Sequence, residues 1–155
     1  MLHKKLFLLG LLFLTAQINC SNDFDSNGGP LFGIRQVSVG QKNIYFKKEI
    51  RGRNYEGLSI STDDNLCNGP SAKTDYFVNS ETIGKTFYKV KDNELQIYSQ
   101  NAFTPPKTDN FPVKIVQRKL PNAEHSEENA IKLGYRELSI PDDSLKICDV
   151  ERKPR

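Results

Sequence analysis

A chain of 155 residues, 37% hydrophobic and 26% charged with no tryptophan, has the length and composition of one soluble domain with a modest core. Its formal charge of +3 includes Lys4 and Lys5, and without residues 1–19 the count is 20 basic against 19 acidic side chains, a net of +1. That balance excludes electrostatic recognition of nucleic acid, which needs a concentrated basic face. Lys47, Lys48, Arg51 and Arg53 do cluster, but alternation along a strand sends them to both faces and reads as a solvated strand surface.

The N-terminus reads as a signal peptide over residues 1–19. His3, Lys4 and Lys5 give it a basic start, and Leu6–Ala16 is an unbroken apolar run. Such a run is too short to span the roughly 30 Å of a bilayer core and has the length of an export h-region. It ends at Gln17-Ile18-Asn19-Cys20, after which residues 20–30 form a polar, acidic and Gly-rich tether. A signal peptide ending on Cys before a short tether resembles the bacterial lipoprotein class, in which that Cys becomes the acylated first residue of the mature chain. The resemblance covers residues 1–29. It implies lipid attachment at Cys20, a membrane held through acyl chains, and a cell-envelope address at the outer membrane or cell surface. Gln17 and Asn19 stand where that class usually carries Leu and Gly, Ala or Ser. Ordinary cleavage near Ala16 or Gln17, giving a soluble secreted protein, is the alternative. Asp23 and Asp25 fit either a surface-export segment of such lipoproteins or a plain solvated linker. Asp23-x-Asp25-x-Asn27-Gly28 also matches half of a calcium loop, but the twelfth position is Ile34 where a bidentate Glu is needed, so neither a metal nor another cofactor is expected.

The cysteines are Cys20, Cys67 and Cys148. Acylation of Cys20 leaves one even pair in an oxidising compartment, and a Cys67–Cys148 disulfide is expected. It would close about 82 residues, worth on the order of 4 kcal/mol in the chain-entropy model. Two Cys and the lone His125 beyond residue 20 supply too few ligands for a zinc site.

From Leu31 onward the pattern is strands. Gly33–Gly40 is Gly-bounded, with Val37 and Val39 on one side. Asn43–Arg51 alternates, Ile44, Phe46 and Ile50 on the apolar face; Lys48 falls on that face too, so this strand should leave the core or lie at an edge. Leu58–Ser61 and Asp75–Val78 are short strands flanking a turn-rich loop, Thr62–Ala72. The stretch Asn79–Thr86 ends in Gly-Lys-Thr like a phosphate loop, but lacks the first Gly and leads into a strand where a helix N-terminus is required. Thr86–Ser99 is the clearest element, a hairpin turning at Asp92-Asn93. It pairs Lys91 with Glu94, Val90 with Leu95 and Tyr88 with Ile97, leaving Tyr88, Val90, Leu95 and Ile97 on one apolar face. Gln100–Pro112 is a loop stiffened by Pro105, Pro106 and Pro112, followed by a strand over Val113–Leu120. Pro121–Gly134 is the expected helix, capped by Asn122 and stopped by Gly134. Tyr135–Ile140 and Ser144–Val150 are the last strands, and the basic tail 151–155 is expected to be disordered.

These elements place residues 31–150 in one all-β domain, an antiparallel β-sandwich of about eight short strands with one short helix; a lipocalin-like up-and-down barrel is the alternative. For chemistry the chain offers little. His125 sits among glutamates with no nucleophile nearby, and Asp63-Asp64 and Asp142-Asp143 read as turn residues. Tyr45, Tyr55, Phe103 and Phe111 serve either as packing or as stacking platforms for a glycan. The expectation is a non-enzyme that binds an unidentified protein or glycan through the Gln100–Pro112 and Thr62–Ala72 loops. Its rivals are a carrier of a small apolar ligand and a carboxylate hydrolase.

Overall fold

The computed structural model describes residues 29–52, 55–80, 83–120 and 126–148. Cys20, the leader, the tether up to Gly28, Arg53, Asn122, His125 and the basic tail lie outside the described residues. Among the described residues nine strands and one helix follow in order: β1 Leu31–Val39, β2 Lys42–Arg51, β3 Tyr55–Ser61, β4 Tyr76–Ser80, β5 Thr86–Lys91, β6 Glu94–Ser99, β7 Lys114–Lys119, α1 Ser126–Lys132, β8 Arg136–Glu137 and β9 Lys146–Ile147, with a 3-10 turn at Asp142–Ser144.

The strands form a five-stranded sheet, β4-β3-β2-β1-β9, and a four-stranded sheet, β7-β6-β5-β8. The expected all-β sandwich is therefore the architecture. The up-and-down barrel is not, because no strand is shared between the sheets and neither closes on itself; a barrel needs one continuous, staggered ladder. Val37, Val39, Ile44, Phe46, Leu58 and Ile60 from the first sheet meet Tyr88, Leu95 and Ile97 from the second. Phe46 lies at the centre, fully buried, its ring 5.6 Å from that of Tyr88.

The hairpin has the expected register, Lys91↔Glu94 through Tyr88↔Ile97. Asp92 and Asn93 take φ of 50° and 61°, the left-handed pair that a two-residue turn needs to match strand twist. Burial departs from the single expected apolar face at two positions. Phe87, on the opposite face, is buried with Leu120, Ala130 and Tyr135 under α1, while Val90, expected in the core, is 39% exposed near the turn. The described part of the expected helix is α1, Ser126–Lys132, which stops where expected, before Gly134 with its φ of 81°; that conformation costs a residue without a Cβ little.

Three further corrections follow from side-chain chemistry and chain reach. The second sheet is mixed, because β7 runs parallel to β6, from Glu94↔Lys114 to Ser99↔Lys119. A parallel neighbour needs a crossover of about a dozen residues or more, and the Pro-stiffened Gln100–Pro112 loop provides it. That loop is a packed cover: Phe103 is buried in the core, Thr104 bridges Phe77, and Gln117 clamps the Phe103 backbone through both its N–H and its C=O.

β2 is not an edge strand either, since it pairs with β1 and β3 on its two sides. Lys48 is tolerated on its inner face because Glu56 and Asp142 lie 3.1 and 3.2 Å from its ammonium. Finally, Lys47 is not a solvated surface residue: only 4% exposed, it donates to Asp63 and to the Asn65 carbonyl of the Thr62–Ala72 loop, which crosses the outer face of the first sheet. The Cys67–Cys148 disulfide, Cα–Cα 5.4 Å, ties this loop to the residue after β9.

Candidate functional site

At one end of the sandwich a cleft of about 240 Å³ opens between the sheets. The second half of β2 and the start of β3 contribute Lys48, Glu56 and Leu58; the entry to β5 contributes Ile83, Lys85 and Thr86; the chain leaving β8 contributes Glu137, Leu138 and Ile140. Each position has a local cause. Alternation puts Lys48 and Leu58 on the inward face as directly paired neighbours. The same parity puts Thr86 on the face of Tyr88. Gly84 allows the close approach of the Gln100 side chain, which a Cβ would overlap.

The cleft joins an apolar wall of Leu58, Ile83, Leu138 and Ile140 to a charged rim. Glu56 accepts from the Lys48 ammonium with one oxygen and from the Ile83 N–H with the other. Lys85 pairs with Glu127 at 2.6 Å. Burial pulls the Lys48 pKa down, but its hydrogen bonds to Glu56 and Asp142 outweigh that and the net shift is upward. The hydrogen bond to Glu127 raises Lys85 as well. Both lysines are thus held as cations, suited to fixing charge and unsuited to accepting protons.

One group in the cleft is unsatisfied. Thr86 is 4% exposed, and its hydroxyl has no hydrogen-bond partner among the described residues. Such a group costs about 1–3 kcal/mol when buried. Glu49 Oε2 and Ser59 Oγ share that condition on the outer face of the first sheet, away from this cleft. Thr86→Val, which keeps the shape and removes the hydroxyl, is expected to raise the unfolding free energy by about 1 kcal/mol. Urea denaturation would read that gain; a loss of similar size would mean the hydroxyl is satisfied in the native state.

Lys48 also sets a pH dependence. The folded protein holds its proton more tightly than the unfolded chain, so this stabilisation is complete below the ordinary lysine pKa. It is lost as pH climbs through the raised folded value. Lys48→Met should therefore flatten the alkaline limb of a stability–pH profile; a limb of unchanged steepness would assign it to other groups.

Most of the residues singled out from the sequence lie elsewhere. Asp63 caps its own turn, accepting from the Asn65 N–H, from Asn68 and from Lys47, and the first of these contributes most to lowering its pKa. Asp142 belongs to the Lys48 cluster, and Asp143 lies in the 3-10 turn. Phe103 is core and Phe111 packs edge-on against Tyr76 at 5.1 Å, half-buried, so neither is a free stacking platform. Lys85 and Thr86 do meet in the cleft, yet at the start of a strand, as their sequence context requires. Glu56, Glu137 and the unsatisfied Thr86 hydroxyl escaped sequence reading. The parity of Thr86 with Tyr88 was the available signal, but an empty hydrogen-bond position exists only once the fold is formed.

A larger groove of about 430 Å³ lies between β1 and β5. Its Lys89 is already engaged with the Leu133 carbonyl at 2.7 Å and the Tyr135 ring. Compared with protein-family models, curated proteins and solved structures, the chain matches none.

Proposed function

We propose that this protein is an exported, membrane-anchored lipoprotein whose β-sandwich is a non-enzymatic binding module of the cell envelope, held by acyl chains on Cys20 and receiving its ligand or partner in the cleft around Thr86. The observation that carries the address is the Cys67–Cys148 disulfide. It pairs two of three cysteines in a manner suited to an oxidising compartment and leaves Cys20 as the odd thiol at the end of the apolar leader. Acyl chains, at about 0.8 kcal/mol per buried methylene, anchor a protein without a spanning helix. The cations of the cleft, fixed in charged form by their carboxylate partners, support binding over proton transfer.

Fractionation tests the address. The wild-type protein should pellet with membranes, resist high-salt washing and enter the detergent phase. Cys20→Ser should abolish that partitioning. A serine variant that fractionates like the wild type would remove the anchor and leave a secreted protein.

A further inference from the structure

We infer that the groove between β1 and β5 takes an extended segment of a partner protein, which adds as a strand to the free edge of β1 and sets an acidic side chain against Arg136. This surface shares no lining residue with the Thr86 cleft and is independent of it. β9 covers β1 only at Leu31 and Phe32, so the run from Gly33 to Val39 has β2 on one side and no strand on the other among the described residues. The Cys148 N–H donates to the Pro30 carbonyl. Every second residue of an antiparallel ladder turns its N–H and C=O the same way, so Gln36 and Ser38 aim theirs at the open edge. On β5 the Leu138 N–H donates to the Thr86 carbonyl, and the same parity leaves the Val90 backbone open, because β8 begins opposite Tyr88.

Other sheet margins are protected where this one is not. Phe77 in β4 is bridged by Thr104, and β7 carries Lys114, Arg118 and Lys119. The open run of β1 pairs with β2 residue for residue, without a bulge. Its one charge, Arg35, is turned to the Ser139 carbonyl and the Tyr88 ring. The groove, about 430 Å³, has an apolar wall of Val37, Tyr88 and the exposed Val90. Charge selects the occupant. Arg136 pairs directly with Tyr88 and so lies on the groove side of its sheet, exposed and without an ion pair among the described residues. Lys89 is already engaged. No carboxylate lines the groove: Asp92 lies 3.9 Å from Lys91 at the hairpin turn, and Glu137, paired with Phe87, faces the α1 side. A second copy would bring Arg35 and Arg136 to the same interface as their counterparts, which like-charge repulsion disfavours. A strand with an inward carboxylate between apolar residues meets Arg136, the apolar wall and the edge amides together.

The test is a chemical-shift titration of the full mature protein in detergent micelles with three capped heptapeptides. The first has valine, aspartate and valine at its even positions and threonine at the odd ones. The second replaces the aspartate with lysine, and the third is the first with its backbone amides methylated. The aspartate peptide should shift the Gln36, Ser38 and Val90 amides saturably. It should slow exchange at Gln36 and Ser38 by about tenfold or more, while Val37, turned toward β2, changes little. The lysine peptide should bind about tenfold more weakly, and the methylated one should not bind. Arg136→Glu should reverse the preference between aspartate and lysine. Ser38→Pro removes an edge N–H while leaving the β1–β2 ladder in place, and should weaken the aspartate peptide severalfold. Equal binding of the lysine peptide overturns the acidic partner, and undiminished binding of the methylated peptide overturns strand addition. Protection of Gln36 and Ser38 that rises with protein concentration alone makes a second copy the occupant and overturns the proposal, as does the absence of a saturable shift with every peptide. The Thr86 cleft and the membrane address are untouched by these results, because other residues and fractionation read them separately.

Discussion

Replacing Cys67 and Cys148 together with alanine should lower the unfolding free energy by about 4 kcal/mol. The bridge spans a sequence separation of 81, so its loss returns a large closed loop to the unfolded ensemble. It also does local work. The Thr62–Ala72 loop lies across a face holding buried Lys47, Ser59 and Ser61. Several hydrogen bonds, including Lys47 to the Asn65 carbonyl at 2.8 Å and Ser61 to Asp75 at 3.0 Å, depend on its position. Once the bridge is gone, water reaches these groups at smaller energetic cost and the loop should lose amide protection first. Urea denaturation of the oxidised protein against the double variant, with hydrogen exchange on both, measures the two effects. A change below about 1 kcal/mol would mean that the loop is held by its hydrogen bonds alone.

Phe46→Ala should cost about as much, 3–5 kcal/mol, by a different mechanism. Phe46 is fully buried and packs against Tyr88 across the gap between the sheets. It stands in the middle strand of its sheet, with Arg35 and Ile60 as direct neighbours. Truncation removes a central contact between the two layers, and close-packed strands on both sides leave little room to collapse into the space. The midpoint of denaturation should fall with the slope unchanged. A loss under about 1.5 kcal/mol would show that the layers slide together and refill the gap.

How much of this was legible depended on whether the controlling information was local. The register of the hairpin was readable because turn chemistry and period-two alternation lie within Thr86–Ser99, whereas the burial of Phe87 depends on the distant Leu120, Ala130 and Tyr135. The disulfide was readable by counting. Lys47 was misread because its burial depends on a loop that returns over it, carrying Asp63 and the Asn65 carbonyl to a cation that alternation alone sends to solvent. For Lys48 one of the two alternatives holds: β2 leaves the core cluster past Phe46, but it is not an edge, because carboxylates from elsewhere, Glu56 and Asp142, meet the inward lysine. The parallel β6–β7 pair could have been suspected from the length of Gln100–Pro112, but length permits a crossover without requiring one. The cleft was the least readable feature. Its residues come from β2, β3, the entry to β5 and the exit from β8, and no single stretch shows that they converge.

The most direct measurement is the mass of the mature N-terminal peptide from protein isolated with its native membranes. The predicted product begins at Cys20 and carries the added mass of acyl chains on that residue. A product beginning unmodified at residue 17 or 18 would contradict the anchor and return the domain to the secreted fraction.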